Sequence, residues 1–172
     1  MGALLREAVV AGCALAALAS GPAWAGVRPT VAALAEPSQL SRSDLEVVRM
    51  DPSAAAPGEL TTVHAFVANG GPERTSSSFT VVVTLPEGTV PQVPFFPENC
   101  EVFQLGYRVR CTFPAGLAPG RSATALVPVR LAQDLPAPGT LAGWAAVRGA
   151  DDSNDSNDSQ PFVIPVMPHR PG

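Results

Sequence analysis

Between Asp44 and Val166, apolar residues recur mostly at every second position, in short runs broken by clusters of Pro, Gly, Asn and Ser. Side chains alternate between the two faces of an extended strand, so this spacing gives one apolar and one wet face; a helical stripe needs intervals of three and four. The clearest run covers residues 78–85, where Phe79, Val81, Val83 and Leu85 share one face and Ser78, Thr80 and Thr84 the other. Residues 122–131 repeat it, with Ala123, Ala125, Val127, Val129 and Leu131 inward. Further strand-sized runs cover residues 45–50, 60–68, 140–148 and 162–166, and Trp144, next to small residues in one of them, is expected to have a packing role. Asp51-Pro52, Ala56-Pro57-Gly58, Asn69-Gly70-Gly71-Pro72 and Ala118-Pro119-Gly120 supply turns, because Gly tolerates positive φ and Pro fixes φ near −65°. Pro128 and Pro161 lack an N–H for the ladder, which predicts edge or bulged strands there. With 19 Pro and 15 Gly in 172 residues, long core helices have little room. The expected fold is all-β, a two-sheet sandwich of immunoglobulin-like class with about seven or eight strands.

The N-terminus reads as an address. Arg6 follows Met1 to Leu5, residues 8–19 are apolar, Ser20-Gly21-Pro22 breaks the run, and Ala23-Trp24-Ala25 fits the A-x-A cleavage pattern. Twelve apolar residues are too few to span a bilayer core as a helix, which takes about 20. A signal peptide over residues 1–25, cleaved after Ala25, is therefore expected, with no transmembrane anchor in the mature chain. Val10-Ala11-Gly12-Cys13 offers a competing lipoprotein box, but it leaves only Ala8 and Val9 ahead of it as apolar segment; lipidation at Cys13 is the weaker alternative. Residues 26–43 mix Pro, Ser and Ala without period and read as a flexible lead-in. Residues 44–166 form the domain, and residues 167–172 a short tail without a sorting motif.

Removing the leader leaves Cys100 and Cys111, an even count in a chain bound for an oxidising compartment. Placing them opposite each other also sets Glu101 against Arg110, Val102 against Val109 and Phe103 against Arg108, with a four-residue loop from Gln104 to Tyr107. Cysteine and valine pairs then fall on one face and opposite charges on the other, which supports a disulfided hairpin in this register.

Several stretches resemble the DUF11 repeats, or conserved-repeat domains, of bacterial secreted and surface proteins. Val67-Ala68-Asn69-Gly70-Gly71-Pro72 is similar to the family's V-x-N-x-G-P turn, and Thr84-Leu85-Pro86-Glu87-Gly88 to its T-L-P-x-G. Cys111-Thr112-Phe113, Leu117-Ala118-Pro119-Gly120-Arg121-Ser122-Ala123-Thr124, Gly139-Thr140 and the run Asp151 to Asp158 follow in the family's order. The resemblance implies an immunoglobulin-like sandwich in an extracellular, structural or adhesive setting, with no catalytic residues to carry over. Members often occur in tandem with a wall anchor, and only one copy is present.

The charge pattern excludes some functions. All 11 basic residues are Arg, spaced singly except for Arg108 and Arg110, and the net charge is −4, so no basic patch exists to displace counterions from nucleic acid. No G-x-S-x-G elbow or glycine-rich phosphate loop is present, and His64 lacks a partner for a metal or a nucleophile; it is expected to pack or hydrogen-bond. A secreted hydrolase is the residual alternative. Asp151, Asp152, Asp155 and Asp158, interleaved with Asn154 and Asn157, read as a solvated loop; as oxygen ligands they are also candidates for calcium, although EF-hand spacing is lacking. Asn154 and Asn157 each open an N-x-S pattern. Phe95 and Phe96 are candidate contact residues in a Pro-rich approach to the hairpin, with core packing of at least one ring as the alternative. Together these features predict a secreted or cell-surface, non-enzymatic structural or binding module, its partner an unknown protein or envelope component, with calcium as the one candidate cofactor. Intact mass of the secreted protein is expected to show Gly26 as the first residue, no lipid and the loss of two hydrogens; a mass retaining residues 1–25 or a lipidated Cys13 contradicts it.

Overall fold

The computed structural model of the chain describes residues 40–169, and the leader, Ala25, Cys13 and most of the lead-in lie outside them. Nine strands form: β1 (Leu45–Val48), β2 (Leu60–Asn69), β3 (Phe79–Thr84), β4 (Thr89–Pro91), β5 (Cys100–Phe103), β6 (Arg108–Phe113), β7 (Ser122–Leu131), β8 (Gly139–Gly149) and β9 (Ser159–Val166). Among the described residues there is no helix. The strands make two antiparallel sheets in the orders β1-β2-β7-β4 and β5-β6-β3-β8-β9. This is the expected sandwich, with one strand more than anticipated. The additional strand, β4, has three residues and one is Pro, too short to show alternation.

The alternation read from the sequence is what buries the core. Val63, Ala65 and Val67 of β2 and Ala125, Val127, Val129 and Leu131 of β7 face Phe79, Val81 and Val83 of β3 and Val109, Cys111 and Phe113 of β6 in one continuous cluster. Phe79 and Phe113 are direct cross-strand partners, and their rings stack with centroids 5.2 Å apart. Each fully buried valine contributes roughly 1.5–3 kcal/mol relative to exposure. A one-residue slip of any of these strands would turn its whole apolar set to water.

Long-range packing decides which face two singled-out side chains occupy. Trp144 lies on the outer face of β8, 52% exposed, because its neighbours Gly143 and Ala145 hold the inward positions. Gly143 pairs with Phe162 across the strands, and a Cβ there would lie 2.2 Å from the Phe162 ring and 2.7 Å from the Thr84 carbonyl oxygen. The ring of Phe162 occupies the space that a side chain at 143 would need. His64 is likewise exposed, on the outer face of β2 opposite Leu126.

The prolines divide. Pro161 stands in β9, an edge strand as expected. Pro128 does not, since β7 lies between β2 and β4. Its carbonyl accepts the Gln92 N–H at 2.8 Å, so its backbone polar groups point to the β4 side, just past the end of that strand. The missing N–H thus falls where the ladder has already stopped.

The packed chain also begins earlier than the expected lead-in allows. Ser43 is fully buried and bridges to Asp152, and Arg42 pairs with Glu73 at 2.9 Å. Asn69 explains the path: its Oδ1 accepts the Asp44 and Gly71 N–H groups at 3.2 and 3.0 Å, and its Nδ2 donates to the Glu73 and Leu117 carbonyls at 2.8 and 2.9 Å. Gly71 has no room for a Cβ, which would come within 2.5 Å of the Asp44 nitrogen. Substitution Gly143→Ala is expected to destabilise the fold by about 1–3 kcal/mol through overpacking, read as a lower midpoint in denaturant melts; an unchanged midpoint would show that the Phe162 ring is free to move aside.

Candidate functional site

The β5–β6 hairpin has the expected register. Cys100 pairs with Cys111, Glu101 with Arg110, Val102 with Val109 and Phe103 with Arg108. The disulfide closes the open end of the hairpin, with Cα atoms 4.0 Å apart. Arg110 meets Glu101 at 3.0 Å and lies over the Phe103 ring at 5.4 Å. At the tip, Gln104, Leu105 and Gly106 all have positive φ, at 51°, 57° and 91°. Such a conformation suits Gly and is uncommon for Leu. Leu105 is nonetheless there and is 98% exposed.

The tip does not stand alone. Leu105, Gly106 and Tyr107 line an open depression of about 270 Å³ with Gly88, Val90 and Pro91. Val90 is exposed, and Val93 and Phe96 are exposed further along the same segment. Of the two candidate contact residues, Phe96 is on the surface, where its backbone N–H and C=O both bond Leu126 of β7, at 3.1 and 2.8 Å. Phe95 is partly buried and packs against the core. The sequence pointed to the Pro-rich segment but not to Leu105. A leucine at a loop tip is a visible signal only once the cysteines fix where the tip lies.

The acidic loop between β8 and β9 separates into unlike groups. Asp151 is 3% exposed and faces Ser76 and Ser77: the Ser76 N–H donates to its Oδ2 at 2.6 Å, and the Ser41 and Ser77 hydroxyls donate to the same carboxylate. Ser43 Oγ donates to the Asp151 carbonyl at 2.8 Å. Burial acts to raise the Asp151 pKa, but these hydrogen bonds outweigh it and hold the carboxyl well below its ordinary value. Asp151 is thus a structural anchor satisfied by donors. Asp155 is exposed.

Asp152 and Asp158 instead face one another. Asp152 Oδ1 accepts the Leu45 and Asn154 N–H groups at 3.3 and 3.1 Å, and Asp158 Oδ2 meets Arg148 at 2.8 Å. Asp152 Oδ2, Asp158 Oδ1 and the Oδ1 of Asn157, next to Asp158 in the chain, are buried with no hydrogen-bond donor among the described residues. The four aspartates expected as calcium ligands therefore do not converge. Among the described residues, no group of three or more His, Cys, Asp or Glu side chains is arranged to hold a metal.

No family model matches the chain, and no curated protein does. Solved structures do. A type I cohesin from Pseudobacteroides cellulosolvens is similar at TM-score 0.51 and 10% identity, covering 77% of this chain and 96% of that one. A major pilin subunit of Bacillus cereus is similar at TM-score 0.50 and 13% identity over 74% of this chain; the chain spans 39% of the pilin's length. Identities this low show the shared fold alone. A protein that catalyses macrocyclization in alchivemycin A biosynthesis is also similar, at TM-score 0.44 and 10% identity over 77% of this chain and 92% of that one.

The acidic end imposes a pH dependence. Burial, then hydrogen bonding and repulsion from Asp152, push the Asp158 carboxyl up to about 6 against the opposing pull of Arg148. The native state therefore keeps a proton that the unfolded chain has released, and the stability this group contributes is lost as pH rises from about 4 through about 6. Asp151 acts in the opposite direction: its contribution is present above the ordinary carboxylate value and lost as pH falls below it. In metal-free buffer the melting temperature is expected to peak at about pH 4–5 and to decline towards pH 7, and Asp158→Asn should flatten that decline. A midpoint that climbs from pH 5 to pH 7 would contradict this assignment.

Proposed function

We propose that this protein is an exported, non-enzymatic structural or adhesive module of the cell surface or medium, which binds a protein or envelope component through the apolar strip Leu105, Tyr107, Val90, Val93 and Phe96. The observation that carries this reading is Leu105. It takes a left-handed conformation at the tip of a disulfide-closed hairpin and is almost wholly exposed, so it packs against none of the described residues. A leucine left this exposed gains its buried apolar area on meeting a partner, which offsets the side-chain freedom it then loses.

Other features support the same reading. A disulfide is at home in an oxidising compartment. The leader pattern at Ala25 and the resemblance to conserved-repeat domains agree with export, and cohesin and pilin share the fold. Catalysis has less support: His64 is exposed on a sheet face, in an open depression shared with Ser53 and Asp51, and the Asp51 carboxylate that could orient an imidazole there is already taken by Arg49 and the Val163 N–H.

The double variant Leu105→Asp, Val90→Ser is expected to melt within about 2 °C of the wild type, since both positions are exposed. Its association with envelope fractions of the producing cells should weaken by roughly tenfold or more, equivalent to about 1.4 kcal/mol. Partition indistinguishable from the wild type removes the strip as the contact surface.

A further inference from the structure

We propose that Asp152, Asn157 and Asp158 form a site for a divalent cation, calcium being the ion their chemistry suits, and that the ion staples the β8–β9 loop to β1. The starting point is three oxygens. Asp152 Oδ2, Asn157 Oδ1 and Asp158 Oδ1 are each buried without a donor, although the other atoms of the same side chains are all engaged. Asp152 Oδ1 holds two backbone N–H groups, Asn157 Nδ2 donates to Asp44 Oδ1 at 2.9 Å, and Asp158 Oδ2 takes Arg148. Buried acceptors are normally satisfied, and leaving one unpaired costs about 1–3 kcal/mol, more when it is charged.

Asp158 is the decisive group. It is 3% exposed, its free oxygen cannot reach bulk water, and it faces a second carboxyl. Arg148 is mostly exposed and engages one Asp158 oxygen, so among the described residues a single guanidinium balances two carboxylates. The surroundings deepen the deficit. Asp44 and Glu46 both approach Gly70 at this end of the sandwich, and Asp155 stands exposed in the same loop. A cation answers both needs, charge and unfilled lone pairs.

The donor set selects the kind of ion. All three atoms are hard oxygens, two of them carboxylate, and among the described residues no imidazole or thiolate joins them to favour zinc or copper. Calcium accepts irregular oxygen sets that include amide and backbone carbonyls and water, whereas magnesium demands near-octahedral geometry and gives up its waters reluctantly. Asp151, the strongest candidate by sequence density, is excluded because serine donors already fill its oxygens.

The consequence is mechanical. Asp152 holds the Leu45 N–H and the Asn157 carbonyl accepts the Val47 N–H at 3.1 Å, so both residues already grip β1. An ion between Asp152 and Asp158 would fix that grip to the end of β8, where the Val147 N–H donates to the Asp158 carbonyl at 2.8 Å. This staple is independent of the apolar strip, and either can fail without the other.

The test is thermal melting of the wild-type protein at neutral pH in excess calcium chloride, excess magnesium chloride or EDTA, with calorimetric titration of calcium. A calcium concentration about a hundred times the dissociation constant should raise the midpoint by about 5 °C or more over EDTA, with a smaller rise in magnesium. Asp158→Asn and Asp152→Asn should each abolish the calcium-dependent rise, while Asp155→Asn keeps it. Equal wild-type midpoints in calcium and EDTA with no heat of titration overturn the proposal. So does loss of the rise in Asp155→Asn to the same degree as in Asp158→Asn, which would mark diffuse attraction to an acidic surface.

Discussion

The side chain of Asn69 is the interaction on which the acidic end depends. It is fully buried, and it uses two acceptor and two donor positions on the approach to β1, on the β2–β3 loop and on the stretch before β7. Its own backbone adds the Arg121 carbonyl and the Gly120 N–H. Three segments distant in sequence are thus tied at one amide, in a setting where each unmade bond would leave a buried polar group. The segment Ser41–Ser43 crosses over Gly71 because Asn69 holds Asp44, and only from there can Ser41 and Ser43 reach Asp151. The geometry of the acidic loop therefore begins at a residue more than 80 positions earlier.

The sheet edges are closed by a different device. On β9 the outward-facing backbone positions are Pro161, Val163 and Pro165; two carry no N–H, and the third donates to Asp51 Oδ1 at 2.9 Å. That bond, with Arg49 beside it, holds the Asp51 carboxyl below its ordinary value. The Pro165 carbonyl is taken by the Ala55 N–H. The opposite edge, β5, is four residues long and disulfide-closed. Both devices discourage pairing with a foreign strand. On these two edges of the five-stranded sheet strand addition is disfavoured, which agrees with the proposed contact through side chains at a loop tip.

What the sequence disclosed and what it hid follow one physical division. Alternation is local, so the buried faces of β2, β3 and β7 were readable residue by residue, and four agreeing pairs fixed the β5–β6 register. The direction of Trp144 was not readable, because it depends on Phe162 filling the space at Gly143 from another strand. The role of Asp151 was hidden for the same reason. A dense acidic run marks all its carboxylates alike, and only serines 74 to 110 residues away distinguish Asp151 from Asp152. β4 escaped notice because three residues cannot display a period.

The register also places the two functional candidates at opposite ends of the sandwich. Thr84 of β3 sits between Arg108 and Trp144, beside the hairpin tip, whereas Phe79 at the other end of the strand sits between Phe113 and Gly149, where the acidic loop begins. The length of β3 and a fully packed core separate them, and each end uses a different physical principle. At the tip, burying Leu105 against a partner recovers about 1.5–3 kcal/mol that its exposure forgoes within the chain. At the acidic end, any gain comes from satisfying charge and lone pairs, which an apolar partner cannot do. A ligand suited to one end is therefore unsuited to the other, and the rigid sandwich between them holds the tip in place whatever binds the loop.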